Sequence, residues 1–236
     1  MFGHDLADVY ELVYRARGKD WDTEATDIAR LIRDQLPAAD SLLDVACGTG
    51  AHLETFAGLF AHTEGLELSS AMLARAAVRL PELPLHQGDM RAFDVGRAFD
   101  AVVCLFTAIG YLPTLPDLRA AVATMARHLN PGGVLVVEPW WFPDRFLDGY
   151  VAGDLASDEH RTVARMSHST RQDRTTRMEV RFLVGEAGGI REFTEIDLLT
   201  LFTEEEYLAA FADAGCPAEY IRSEWTARGL FVARRR

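Results

Sequence analysis

Between positions 22 and 37 the chain reads DTEATDIARLIRDQLP, with Ile28, Leu31, Ile32 and Leu36 recurring at helical spacing and Pro37 closing the run. That spacing predicts an amphipathic helix. The apolar run SLLDV follows as a strand ending in the small-residue turn ACGTG, and then AHLETFAGLF reads as a helix, TEGLEL as a strand and SSAMLARAAVRL as a helix that Ser69 or Ser70 can cap. A strand ending near LHQGD, the strand FDAVVCLF, the helix PDLRAAVATMARHL with Leu118, Val122, Met125 and Leu129 inward, a PGG stop and the strand VLVVEP complete the series. Alternation of strand and helix through residues 25–139 predicts right-handed crossovers and a mostly parallel, doubly wound α/β sheet covered on both faces.

Past Pro139 the pattern changes. TVARMSHST, TTRMEVRFLVGE and IREFTEIDLLTLF are β-prone, partly alternating and separated by polar or Gly-Gly turns, which predicts an inserted antiparallel β layer within residues 140–202. TEEEYLAAFADAG reads as a helix with a Thr203/Glu206 capping box and Gly215 as its stop, and AEYIRSEW with RGLFVARR as a final strand pair within 203–236. The segment 1–24 contains YELVYRARGKDW, aromatic and basic with weak helix-start signals, and is expected to cover a pocket as a lid. One domain, 1–236, is expected to hold all of these parts.

Composition narrows the partners. A chain of 236 residues with 49% hydrophobic content can bury a substantial core, and a formal net charge of -12 disfavours nucleic acid. The acidic start MFGHDLADVYEL lacks the basic and apolar regions of a leader, and no apolar run reaches the roughly 18 residues a membrane span requires, so a cytoplasmic protein with a small-molecule substrate is expected. Cys47, Cys104 and Cys216 form no CxxC pair, which argues against a disulfide framework and a cysteine-rich metal site; no metal is expected. Arginines cluster between Arg161 and Arg181, where they suit either phosphate recognition or a solvated strand face.

In doubly wound sheets the ligand lies beyond the carboxyl ends of the strands, where strand order reverses. The turn from Asp44 to Gly50 occupies the first such end, Glu67 ends the second strand about twenty residues on, and Gly88-Asp89-Met90 follows the third. A dinucleotide fingerprint would want a third glycine where this chain has Leu53, which disfavours an NAD-dependent oxidoreductase.

Together, DVACGTG, GLELS and QGDMR resemble the first three motifs of class I S-adenosylmethionine-dependent methyltransferases, over about residues 40–140. The resemblance implies S-adenosylmethionine as cofactor, with Asp44, Ala46, Gly48 and Gly50 shaping the methionine pocket and Glu67 on the ribose. It places Asp89 and Met90 around the adenine and Cys104 and Leu105 beneath the methionine portion, with Tyr10 and Leu68 among the cofactor-binding residues. Met72 reads equally as an adenine contact or helix core.

The segment EPWWF sets two adjacent tryptophans after a buried strand. Two in a row cannot both face one core, so one is expected under the β layer and Trp140 on the pocket wall. The wider stretch VVEPWWFPDRFLDGYVAGD, with ARMSHS, TLFTEEEY and ARGLFV, resembles the N-methyltransferases of nucleotide-linked amino deoxysugars in macrolide and related antibiotics, over about Val9 to Val232. That likeness implies transfer of one or two methyl groups to the amine of a dTDP-3-amino deoxyhexose. It also implies Arg228, Ser167 and His168 at the substrate, Trp21 and Trp140 around the sugar, and Tyr14 and Tyr111 at the reacting amine. Members of the family commonly carry histidine at the position of Tyr111 and tyrosine near Phe2, so a histidine base is not expected here. A small amine acceptor without a nucleotide and a non-catalytic methyltransferase-like binding module are the alternatives. A homodimer formed through the β layer is a further expectation.

Overall fold

In chain order the elements are α1 (His4–Ala16), α2 (Trp21–Gln35), β1 (Ser41–Val45), α3 (Ala51–Leu59), β2 (His62–Glu67), α4 (Ser70–Arg79), β3 (Leu85–Gln87) and β4 (Phe99–Cys104). A 3-10 turn (Ala108–Tyr111), α5 (Leu115–Arg127), β5 (Leu129–Val137), β6 (Tyr150–Ser157), β7 (Arg161–Gln172), β8 (Thr175–Glu186), β9 (Gly189–Thr200), α6 (Glu204–Asp213), β10 (Ala218–Ile221) and β11 (Leu230–Arg234) follow. The computed structural model describes residues 3–223 and 226–236; Phe2 and the end of the RSEW segment therefore lie outside the described residues.

Seven strands form one sheet in the order β10-β11-β5-β4-β1-β2-β3, parallel from β3 through β5 and antiparallel where β11 joins β5 and β10. Every residue of β1 is buried, as a strand covered on both faces requires. Ile28, Ile32 and Phe56 of α2 and α3 meet Leu42, Val103 and Val136 on one face. On the other, Leu118, Val122 and Phe211 of α5 and α6 meet Leu43, Val102 and Leu135. The chain runs outward from β1 to β3 and returns to β4 on β1's other side, so strand order reverses between β1 and β4.

Local chemistry explains most boundaries. The Ser69 hydroxyl accepts from the Met72 amide and starts α4, and Thr203 with Glu206 forms the full capping box of α6. The Pro-Gly-Gly segment departs from the expected stop: Pro131, Gly132 and Gly133 lie inside β5, at the register shift opposite Phe99 and Ala101.

Strands β6 to β9 form a separate antiparallel sheet in sequential order. The short strand β6 was not expected, because YVAGDLAS carries few β-branched or aromatic residues. Nor was the full 13-residue α1, whose N-cap Gly3 supplies no side-chain cap. Its formation rests on packing. Leu6, Val9 and Val13 are buried among Val163, Val180 and Phe182 of the second sheet and Ala71 and Met72 of α4. Asp8 joins the three bodies by pairing with Arg75 of α4, Arg161 of β7 and Arg191 of β9. Among the described residues no helix is long and apolar enough to cross a membrane.

Candidate active site

A cavity of about 920 Å³ opens at the carboxyl ends of β1, β2 and β4 and extends between the central sheet and the inner face of the second one. Ala46 (φ +62°) and Gly48 (φ +58°) turn the chain at the tip of β1, and a Cβ at Gly48 would meet nothing within 4 Å, so a ligand can approach the backbone there. Gly50 does something else. It is the N-cap of α3, does not line the cavity, and sits where a Cβ would come within 3.1 Å of Leu80 and 3.3 Å of Ala76. Its closeness to α4 makes it a helix-packing glycine.

Two acids stand at this end. Asp44 is 2% exposed and lies beneath the turn without lining the cavity, and its Oδ2 has no hydrogen-bond partner; burial, with the nearby charge of Glu67, pushes its carboxyl well up. Glu67 accepts from the amides of Gly48 (2.9 Å) and Ser69 (2.7 Å), and burial raises its carboxyl against the opposing pull of those amides. A buried carboxylate oxygen without a donor and an open backbone turn fit a ligand that brings its own cationic N–H group, such as the ammonium of a methionine moiety. Leu68, Met72, Met90 and Leu105 give the same end an apolar lining. Asp89 lies in an adjoining cavity of about 240 Å³ that shares Ala46, Leu68, Met90 and Tyr111 with the first. Cys104 is fully buried, lines neither cavity, and belongs to the core of the sheet.

The opposite end is aromatic and charged. Tyr10 and Tyr14 project from α1 with ring centroids 4.8 Å apart, and Tyr14 meets Phe106 edge-on at 5.0 Å. Burial raises both phenols. Trp140 and Trp141 both line the cavity, crossing edge to face at 6.4 Å, while Phe142 fills the core against Tyr207, Tyr220 and Phe231. The aromatic buried from EPWWF is therefore the phenylalanine, not a tryptophan. Trp140 is fixed by donating its indole N–H to Thr176 (3.2 Å).

Arg228 lines the cavity over both tryptophan rings, but its fork donates to buried Glu138 at 2.9 and 3.2 Å. Trp21 is 3% exposed, packs behind Tyr10 and does not reach the cavity. His168 does not reach it either. On β7 the buried positions are 163, 165, 167 and 169, so Ser167 faces the cavity and His168, one residue on, faces solvent.

Residues not singled out from the sequence share the wall. Arg165 is 5% exposed and donates to Ser167 (3.0 Å) and Asp154 (3.3 Å). Glu195 and Asp197 project from β9, and the Tyr111 hydroxyl donates to Asp197 Oδ1 at 2.9 Å. Lys19, from the α1–α2 junction, pairs with buried Glu24 and lies 4.1 Å from the Phe106 ring centroid. Arg17, Lys19 and Glu24 all face the cavity, and the aromatic-basic composition of their segment was the available signal.

A parallel sheet that reverses order between β1 and β4, with an acid and an open turn at the tip of β1 and a second acid at the tip of β2, defines the class I methyltransferase architecture. Residues 42–133 match the methyltransferase domain family. The chain is 56% identical, over 98% of both sequences, to the dTDP-3-amino-3,4,6-trideoxy-alpha-D-glucopyranose N,N-dimethyltransferase of Streptomyces venezuelae. It is 53% identical to the dTDP-4-amino-2,3,4,6-tetradeoxy-D-glucose N,N-dimethyltransferase of Saccharopolyspora spinosa, over 98% of this chain and 93% of that one. An S-adenosylmethionine-bound amino pentose methyltransferase of Micromonospora echinaspora, involved in calicheamicin biosynthesis, superposes with a TM-score of 0.90 at 64% identity, covering 97% of each chain. The chain belongs to the family of S-adenosylmethionine-dependent N-methyltransferases that includes these amino-sugar enzymes.

Proposed function

We propose that the protein transfers one and then a second methyl group to the amine of a dTDP-linked amino deoxysugar, with a 3-amino deoxyhexose as the first substrate to test. The observation that carries this reading is the two-ended cavity of about 920 Å³: an apolar end with the open turn after β1 and Glu67 of β2, and a charged, aromatic end against β7 and β9. Relatives of essentially full length that bear amino-sugar N,N-dimethyltransferase names support the acceptor class.

Asp44, Gly48 and Glu67 would hold S-adenosylmethionine, with Leu68, Met72, Met90 and Leu105 against its apolar parts; the sulfonium supplies an already activated methyl group. The chain then has to align an unprotonated amine and keep water out, and proximity can provide much of the acceleration. Tyr14, Tyr111 and Trp140 would surround the sugar. Arg165, Ser167 and Arg228 offer donors to the nucleotide's pyrophosphate. Residues 1–24 act as the lid, 25–139 as the cofactor body and 140–202 as the acceptor layer, closed by 203–236. The enzyme acts in the cytoplasm as a homodimer formed through the acceptor layer.

The test is mass spectrometry of a timed reaction with S-adenosylmethionine and a dTDP-3-amino-3,6-dideoxyhexose. Sequential gains of one and two methyl groups on the sugar support the reading. No gain with this sugar, a 4-amino isomer or an amino pentose nucleotide overturns it.

A further inference from the structure

Two acids of β9 border the cavity without a direct ion pair to an arginine or lysine among the described residues, although the Arg165 charge on the same wall reaches Asp197 and favours its carboxylate. Glu138, Glu24 and Asp154 are each paired with an arginine or lysine. Asp197, 7% exposed and lining the cavity, instead takes its hydrogen bond from a neutral hydroxyl, that of Tyr111 at 2.9 Å. Among the described residues no arginine or lysine is paired with it. Glu195, two residues earlier on the same strand face, also borders the cavity.

The surroundings hold this pair in place. Tyr111 ends the 3-10 turn after β4 and is 38% exposed, yet it borders both cavities rather than open solvent. Its hydroxyl is consequently desolvated, and burial with the adjacent Asp197 charge pushes the phenol well up. Burial likewise raises the Asp197 carboxyl, against the opposing Tyr111 hydrogen bond. Gly110 fixes the turn against Trp140, since a Cβ there would lie 2.7 Å from the tryptophan's own. Tyr111 and Asp197 thus bridge the two sheets at the acceptor end.

We infer that the Tyr111–Asp197 pair is the subsite that recognises the acceptor's amine, distinguishing it from a hydroxyl at the same sugar carbon. This rests on the amino-sugar reading above. A buried carboxylate whose one hydrogen bond comes from a neutral hydroxyl, with the Arg165 charge acting only at a distance, favours a ligand that supplies a directly bonded cation, and a hydroxyl brings no such charge. The same carboxylate can take the proton that the amine must shed: the N–H bond breaks, the electron pair stays on nitrogen, and an O–H bond forms on Asp197. Tyr111, donating to Oδ1, aims the carboxylate and is a positioning residue, whereas Asp197 meets the amine itself.

The experiment is calorimetric binding, in the presence of S-adenosylhomocysteine, of two ligands: the dTDP-amino sugar the enzyme methylates and its analogue with hydroxyl in place of the amine. Wild type should prefer the amine. Asp197→Asn should weaken amino-sugar binding by about tenfold or more while changing the hydroxyl analogue by less than about twofold. Tyr111→Phe keeps the carboxylate and should give a smaller loss confined to the same ligand, and unchanged S-adenosylhomocysteine affinity verifies the fold of both variants. Equal losses for both ligands, or an amine preference that survives Asp197→Asn, overturn the inference. A wild type that methylates the amine yet shows no preference for it also overturns the inference and leaves the proposed function standing. A wild type that neither binds nor methylates any amino sugar overturns both.

Discussion

Arg228 and Glu138 form a forked ion pair, Nη2 to Oε1 at 2.9 Å, beneath the two tryptophans, and Glu138 also accepts from Thr226 (2.8 Å) and from the Phe106 amide (2.7 Å). With Glu138 1% exposed, removing its cation strands a buried charge. Arg228→Met is expected to lower stability by about 2 to 3 kcal/mol, Arg228 itself being partly exposed. The double variant Arg228→Met/Glu138→Gln should recover most of that in thermal melts without recovering affinity for the nucleotide sugar, which separates the structural duty of Arg228 from its proposed contact with substrate.

Asp44 should cost the empty protein stability. Its folded-state pKa lies above the unfolded value near 4, and that of Glu67 is raised in the same sense, so as pH climbs past about 4 the unfolded chain releases these protons first. The contribution is therefore favourable at low pH and shrinks as pH rises toward the folded values. Asp44→Asn is expected to raise the cofactor-free melting temperature at neutral pH by about 3 °C or more and to flatten its pH dependence. Affinity for S-adenosylhomocysteine should fall about tenfold or more in the same variant. Calorimetric scans and titrations read both.

The phase of β7 makes a direct comparison possible. His168→Ala, on the outer face, should leave KM for the nucleotide sugar within about twofold, whereas Ser167→Leu, on the inner face, should raise it about tenfold or more by filling acceptor space. The reverse result would mean that the strand pairs one residue out of the register His168↔Glu179.

Gly110→Ala inserts a methyl group where the Trp140 Cβ already stands at 2.7 Å. A destabilisation of about 1 to 3 kcal/mol is expected, with a rise in KM as Trp140 leaves its hydrogen bond to Thr176. Denaturant melts and Trp140 fluorescence in a Trp21→Phe/Trp141→Phe/Trp225→Phe background follow the two effects.

Asp8 offers a test of the lid. Partial burial acts to raise its pKa, but Arg75 and Arg161 outweigh this and hold the carboxyl low, so its contribution is present above about pH 4 and disappears as pH falls through the depressed value. Asp8→Asn should speed proteolytic cleavage within α1 about threefold or more at neutral pH, and bound S-adenosylhomocysteine should slow it again.

The doubly wound body was legible because its strands are short apolar runs buried on both faces, and Glu67 because its position follows from chain direction alone. The second sheet resisted. SHS offers no indication of which residue faces inward until Val163 is known to be core, so the sequence points to Ser167 and His168 alike and the structure brings only Ser167 to the cavity. On β9 the alternation changes character midway: inward Phe193 packs on Phe182, but inward Glu195 and Asp197 lie beyond the apolar cluster, while Ile196 and Leu198 are 52% and 55% exposed at the cavity's rim. In sequence the acids of EFTEIDLL read as a solvated face. Only the cavity beneath that half of the strand inverts the reading. Gly50 and Cys104 carry family motifs whose local task here is packing, a distinction that depends on α4 and the sheet interior rather than on the motif.

The separation of the two sheets also bears on how such an enzyme diversifies. The groups proposed for the donor sit at the ends of β1 and β2, whereas much of the wall proposed for the acceptor is carried on alternate positions of β7 and on the second half of β9, on a different hydrogen-bonded framework. Replacements at inward positions such as 167, 169, 195 and 197 can remodel the recognised sugar without shifting a strand of the donor body. A mutational library confined to those positions is thus a compact route to new acceptors on an unchanged methyl-delivery chassis.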